Sequence, residues 1–237
     1  MKNKFVVLSD IHFPYQDNKA IKAVYKFLEQ HPVDTIILNG DILDFYDVSS
    51  FDKDPSRINS LQAEINLAQK FFKKLRDLSP NSRIVFVKGN HSERIERYLK
   101  KHPELYSLDA LKLPNLLGLD KFNIEYKDKG FKLGGLKIIH GDIVRKYSGY
   151  SARAEMEKHD SSGISSHTHR GSAYYYRTPE RYLAWFESFC LCDLNPEYIN
   201  EPNWQQGFLY GYVEKDSFAV TPIPIVDGKI KCVLLEE

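Results

Sequence analysis

At 237 residues the chain is long enough for one sizeable core, and a formal net charge of +1 with 27% charged residues describes a soluble protein without a chain-wide basic field, leaving room for local basic patches. No apolar run approaches the roughly 18 to 20 residues of a membrane-spanning helix, and Phe5-Val6-Val7-Leu8 is too short for a secretion signal, so a cytoplasmic protein is expected. Cys190, Cys192 and Cys232 are too few and too unevenly placed for a disulfide framework, in keeping with a reducing compartment.

Phe5 to Ser9 reads as a buried strand, followed by a helical pattern from about Asn18 to Glu29 and a second buried run from Val33 to Leu38. Strand, helix, strand in this order implies a right-handed crossover and parallel pairing. A helix from about Ile58 to Leu78 carries Leu61, Ile65, Ala68, Phe72 and Leu75 at three- and four-residue steps and stops at Pro80-Asn81. Arg83 to Val87 is a third buried strand. Ser92 is placed to cap a basic helix that runs to Lys101 and ends before Pro103, whereas Pro103 to Leu119 carries no clear period. Short β segments follow at Ile124–Tyr126, Phe131–Leu133 and Leu136–His140, with Gly134-Gly135 as a hairpin turn. A helix is expected over Ala152–Lys158 and a small-residue strand over Gly163–Ser166. Tyr174–Tyr176, Gly207–Val213, Ser217–Pro222 and Lys229–Leu234 read as a β meander over about 172–235. No repeat or linker marks a boundary, so residues 1–237 are expected to form one domain, with a helical insertion over about 92–120.

Five fragments fall where apolar runs end: Asp10-x-His12, Gly40-Asp41, Gly89-Asn90-His91, His140 and His167-Thr168-His169. Each alone is ordinary, since Gly-Asp is a common turn dipeptide and a strand-end histidine is often structural. Together they take five of the eight histidines and supply seven oxygen and nitrogen donors plus one further histidine. An α/β sheet gathers such strand ends along one edge. Carboxylate, amide and imidazole without thiolate favour manganese, iron, zinc or nickel over calcium. His31, His102 and His159 lie at helix ends and read as structural.

In order and spacing, Asp10-x-His12, Gly40-Asp41-x-x-Asp44, Gly89-Asn90-His91, His140 and His167-x-His169 resemble the calcineurin-like metallophosphoesterases across residues 10 to 169. The resemblance implies a four-layer αββα sandwich, two mixed β-sheets flanked by helices, with two divalent metal ions at the strand ends, manganese expected first. It assigns Asp10, His12 and His169 to one ion, Asn90, His140 and His167 to the other, and Asp41 to both. It leaves His91 outside the ligand set, as the group that donates to substrate or protonates the leaving oxygen, and makes Asp44 the carboxylate that orients it. The implied reaction is phosphoester hydrolysis by a hydroxide shared between the metals, attacking in line. Ser166 stands where the family usually has glycine, and Ser92 where many members carry an acid.

Arg94, Arg97, Lys100 and Lys101 form a basic stripe beyond the third block, and Arg94, Arg145 and Arg170 are candidate substrate contacts. Phe13, Tyr15, Tyr46 and Tyr174–Tyr176 are candidates to stack on a nucleobase, although strand alternation keeps three successive tyrosines from sharing one face. These residues favour a phosphodiester, in a nucleotide or nucleic acid, with nuclease activity in view. The alternatives are a phosphomonoesterase or protein phosphatase, and a metal-site fold kept as a non-catalytic scaffold, as in superfamily members resembling retromer subunits.

Overall fold

The computed structural model describes residues 2–54, 60–196 and 199–232. Its first half runs β1 (Asn3–Leu8), α1 (Asn18–Gln30), β2 (Thr35–Asn39), α2 (Leu61–Leu78), β3 (Arg83–Val87), α3 (Ser92–Lys101), α4 (Pro103–Tyr106), α5 (Leu113–Leu117) and β4 (Ile124–Lys127). The second half runs β5 (Phe131–Leu133), β6 (Leu136–Ile138), α6 (Tyr150–His159), β7 (Gly163–Ser165), β8 (Gly171–Arg177) and β9 (Tyr182–Ser188). It closes with β10 (Gly207–Glu214), β11 (Ser217–Val226) and β12 (Lys229–Ile230).

Alternation along the strands builds the layers. Val6, Leu8, Ile36, Leu38, Ile84 and Phe86 point into one core shared with Val24 and Phe27 of α1, Phe72 and Leu75 of α2, and Leu117 of α5. Their neighbours Phe5, Val7, Ile37, Val85 and Val87 point the other way and meet Leu136, Ile138, Ile164 and Phe186 of the facing sheet. Strands buried on both faces must be apolar throughout, which is why these read as continuous apolar runs. Each fully buried aliphatic or aromatic side chain contributes about 1.5–3 kcal/mol. On the outer face of the second sheet, Ala152 and Met156 of α6 cover Trp185. The result is a four-layer αββα sandwich.

One sheet has the order β12-β11-β10-β1-β2-β3-β4, and the other β5-β6-β7-β9-β8. Strands β1 to β4 are parallel and β10 to β12 join them antiparallel, so the sheet is mixed. The second sheet is also mixed, with β6, β7 and β9 parallel and β5 and β8 antiparallel at its edges. The antiparallel run expected over 172–235 is therefore divided: β8 and β9 extend the second sheet and β10 to β12 extend the first. Non-local pairing decides this division, because β10 finds β1 and β9 finds β7.

Some local expectations change, and others reach residues outside the described ones. Helix α2 begins at Leu61, capped by Ser60 accepting from the Ala63 N–H, and the expected start at Ile58 lies outside the described residues. Val233 and Leu234, expected in the last strand, also lie outside them. Ser92 is not the cap of α3 but its first helical residue, and His91 takes the cap position in helical geometry with no side-chain bond to the helix. The reason is tertiary: the His91 N–H donates to Asp41 Oδ1 at 2.9 Å, and Ser92 is fully buried. Residues 103–119 form only short helical turns, interrupted by Pro103 and Pro114 at first-turn positions. Among the described residues no helix is long and apolar enough to cross a membrane.

Candidate metal centre

All five fragments lie on loops leaving the carboxyl ends of β1, β2, β3, β6 and β7, so both sheets deliver side chains to one edge. The loops are laced together. The Ile11 and His12 N–H groups both donate to the Asp41 carbonyl at 3.0 Å, and the His167 N–H donates to Asp10 Oδ2 at 3.2 Å. Asp10, His12, Asp41, His167 and His169 all have left-handed backbones, with φ between 50° and 70°. Non-glycine residues held there carry strain of order 1 kcal/mol or more each, which persists when surrounding contacts over-determine it. Gly40 and Gly89 are required by space: a Cβ at Gly40 would overlap the His140 ring, and one at Gly89 would overlap the Asp41 carboxylate.

Two donor clusters result. In the first, His12 Nε2 lies 3.1 Å from His169 Nε2, and Asp10 Oδ1 lies 3.3 Å from His169 Nε2 and 3.9 Å from His12 Nε2. In the second, His140 Nε2 lies 3.1 Å from Asp41 Oδ2 and 3.0 Å from Asn90 Oδ1, with His167 close by. Donors bound at about 2.0–2.2 Å around one cation stand about 3.0–3.5 Å apart, so these spacings suit two such ions. Asp10 Oδ1 is buried yet meets no aligned hydrogen-bond donor among the described residues, as suits an atom with a metal partner.

Charge leads to the same conclusion. Burial works against protonation of His140 and His169, but Asp41 raises the first to about 9 and Asp10 raises the second to about 10. These carboxylates thus strongly favour positive charge at this spot, a demand a divalent cation meets. Asp41 belongs to the second cluster, and it and His12 are near enough to shift each other's ionisation.

His91 lies outside these two clusters but against the first: its ring is 4.4 Å from the His12 ring, and with His12 and Asp44 it forms a third group of donors. Its Nδ1 lies 3.0 Å from Asp44 Oδ1, and its Nε2 lies 3.9 Å from Asp41 Oδ2. Asp44 also meets His12 Nδ1 at 3.3 Å. Burial pushes the Asp44 carboxyl up, but its bonds to His12 and His91 outweigh that and hold it well below the usual carboxylate range. Arg94, expected to face substrate, is turned onto this pair. Its Nη1 donates to the Asp44 carbonyl at 2.8 Å and to Oδ2 at 3.2 Å, and its Nη2 lies 3.1 Å from His91 Nε2. Arg145 is exposed and Arg170 donates to its carbonyl at 2.6 Å.

Several supporting residues carry no motif. Glu187, fully buried, accepts from the Thr168 hydroxyl at 2.7 Å, from the Gly149 N–H at 2.7 Å and from Ser172, and so holds the loop bearing His167 and His169. Ser166, the departure from glycine, is used: its hydroxyl bonds Asn39 Nδ2 and Ser188, each at 2.7 Å. Cys192 Sγ lies 3.8 Å from His169 Nδ1, and the Trp204 ring stands 4.2 Å from the His169 ring. A carboxylate inside the apolar run of β9, Tyr182–Ser188, was the available signal for Glu187. Of the aromatic candidates, Phe13 is core, 4% exposed against Phe71, because its strand-end loop turns inward. Tyr174 faces Arg153 and α6, whereas Tyr175 faces Phe186.

Glu64 has a similar signal, an acid within the apolar stripe of α2 between Leu61 and Ile65. It is 3% exposed and accepts the N–H of Phe45, next to Asp44. Burial, with help from Asp44 and Asp47, pushes its carboxyl up to about 8. Its folded pKa lies above the ordinary 4.5, so the fold keeps a proton that the unfolded chain has lost. The contribution of Glu64 to stability is therefore fully present below about pH 4.5 and is lost as pH rises through about 8. Glu64→Gln is expected to flatten that decline, read by urea unfolding from about pH 5 to about pH 9. An unchanged slope would show that Glu64 does not titrate in this window.

The chain is similar to the Gene 54 proteins of Mycobacterium phages D29 and L5. It is 29% identical to the first and 26% to the second, each alignment covering 97% of this chain and 96% of that protein. Among solved structures it is similar to a single mutant of Vps29 from Entamoeba histolytica, at a TM-score of 0.51 and 14% identity over 97% of both chains. Vacuolar Protein Sorting 29 from Cryptosporidium parvum gives 0.52 and 12%, covering 97% of this chain and 95% of that one. These structural likenesses concern the fold. The family model described as calcineurin-like phosphoesterase matches residues 3–222, from β1 into β11 and across all five loops, and the chain belongs to that family.

Proposed function

We propose that the chain is a phosphoester hydrolase dependent on two divalent ions, manganese first among them, acting as a single cytoplasmic domain and leaning to phosphodiesters. The observation that carries this reading is the pairing of two donor clusters with a histidine that belongs to neither and is held by its own carboxylate. Asp10, His12 and His169 would hold one ion and Asn90, His140 and His167 the other, with Asp41 reaching both. Bound there, the ions would supply Lewis acidity toward a phosphoryl oxygen and toward water.

The chain's own residues do the rest. Asp44 holds His91 Nδ1, and Nε2, 3.9 Å from Asp41 Oδ2, gives a proton to the leaving oxygen once substrate displaces its contact with the Arg94 guanidinium, which can only donate. Arg94, bonded to the Asp44 carbonyl and carboxylate and facing His91, keeps this pair in place as a positioning residue. Glu187 and Ser166 keep the loop of His167 and His169 in its strained form.

The diester lean is supported by Phe51, Arg97, Tyr98 and Lys101, which line a cavity that Asn90 also lines. With manganese added, bis-p-nitrophenyl phosphate is expected to turn over at least about tenfold faster in kcat/KM than p-nitrophenyl phosphate. The reverse order would favour a phosphomonoesterase. Inertness toward both esters and toward single-stranded DNA and RNA would overturn the hydrolase and leave a scaffold.

A further inference from the structure

Next to the metal centre lies a cavity of about 450 Å³ whose lining includes Phe51, Asn90, Arg94, Arg97, Tyr98 and Lys101. Asn90 belongs to the second donor cluster, so cavity and centre are continuous. Arg94, Arg97, Tyr98 and Lys101 follow one another at positions i, i+3, i+4 and i+7 on α3 and share a face, while Ile95 and Leu99 turn into the core. Phe51 is 64% exposed and Tyr98 38%, and the Arg94 guanidinium stands 5.6 Å from the Phe51 ring centre. Arg97 pairs with Glu93 at 3.6 Å, but both are more than half or half exposed, so this pair is weak and yields its cation to a stronger anion.

We propose that this groove binds the strand of a single-stranded nucleic acid adjoining the scissile phosphate, with a base stacked on Phe51 or Tyr98 and a further phosphate on Arg97 and Lys101. The inference rests on the hydrolase reading and deepens it. From Arg94 to Lys101 the cationic face extends about 10 Å along the helix, which is more than one phosphate needs. A monoester or a singly phosphorylated peptide leaves its far end unused. Flat rings interleaved with arginine and lysine suit splayed bases, and a duplex keeps its bases stacked away from such rings.

The test uses the full-length protein without added divalent metal and a fluorescein-labelled oligothymidylate of about ten nucleotides, read by fluorescence anisotropy. Tyr98→Ala is expected to weaken binding about tenfold. Arg97→Glu with Lys101→Glu is expected to reduce the slope of log affinity against log salt by about 1.4, two phosphate contacts at about 0.7 each. Lys229→Glu with Lys231→Glu, at the opposite edge of the seven-stranded sheet, controls for overall charge and is expected to bind like wild type. All these positions are exposed, and thermal melting verifies that each variant folds. Wild-type affinity in the groove variants, an equal loss in the control, or a phosphoserine peptide that displaces the strand at equal concentration would overturn the proposal. Wild-type turnover of bis-p-nitrophenyl phosphate is measured alongside: its absence with groove-dependent binding sinks the hydrolase alone, and its presence without such binding sinks the groove alone.

Discussion

Asp41→Asn is expected to lower metal content from two ions to fewer than one per chain and to reduce kcat/KM by about three orders of magnitude. Asp41 is 1% exposed; its Oδ2 faces His140 and its Oδ1 accepts the His91 N–H. Asparagine keeps that second bond and the side-chain volume, so the loop retains its shape. What it removes is the carboxylate charge, and its amide nitrogen cannot coordinate. His140 then loses the neighbour that holds it up to about 9, and the cluster loses most of its preference for positive charge. His12→Ala, by contrast, deletes one donor of the first cluster and is expected to leave one ion bound. Metal analysis by atomic emission distinguishes the two, and Asp41→Asn retaining two ions would sink the shared role of this residue. Because the substitution breaks the buried pair between Asp41 and His140, the metal-free protein is expected to melt lower than wild type, and metal content is compared at a temperature where both are folded.

His91→Gln has the next largest expected effect: two ions retained, with turnover slowed by roughly two to four orders of magnitude, the range for loss of a general acid. The geometry separates the two properties. Neither the cluster of Asp10, His12 and His169 nor that of Asp41, Asn90, His140 and His167 includes His91, and its ring is fixed by Asp44 and Arg94. Protonation matters most when the leaving oxygen is basic, so the loss is expected to be large for an alkyl ester and several-fold smaller for a p-nitrophenyl ester. Equal losses for both esters, or a parallel loss of metal, would rule out His91 as the acid.

Much of this is legible in the amino-acid sequence. Val6, Leu8, Ile36, Leu38, Ile84 and Phe86 share one core, and the residues between them share another, because strands buried on both faces leave no polar position in the run. Where such a run stops at Asp10, Asp41 or Asn90, the backbone leaves the sheet and the side chain becomes free to serve a site. Ser92 misled because a serine ahead of a helix is an ordinary cap, and only Asp41, half a sheet away in sequence, moves the start of α3 by one residue.

The amino-acid order by itself determined the buried strands β1 to β3, the helices α1 and α2, the strand-end placement of the donors and the family, since each rests on local periodicity or on spacing within one loop; it did not mark β9 or the short helices over 103–119. The tertiary structure alone decided what depends on partners distant in sequence. Arg94 turned from the substrate onto Asp44 and His91, 50 and three residues away. Glu187 bonded a loop 19 residues off, and β10 joined β1 rather than β9. Burial and hydrogen bonding are satisfied across the whole chain at once, so a side chain's type declares what it can do and the fold decides what it touches.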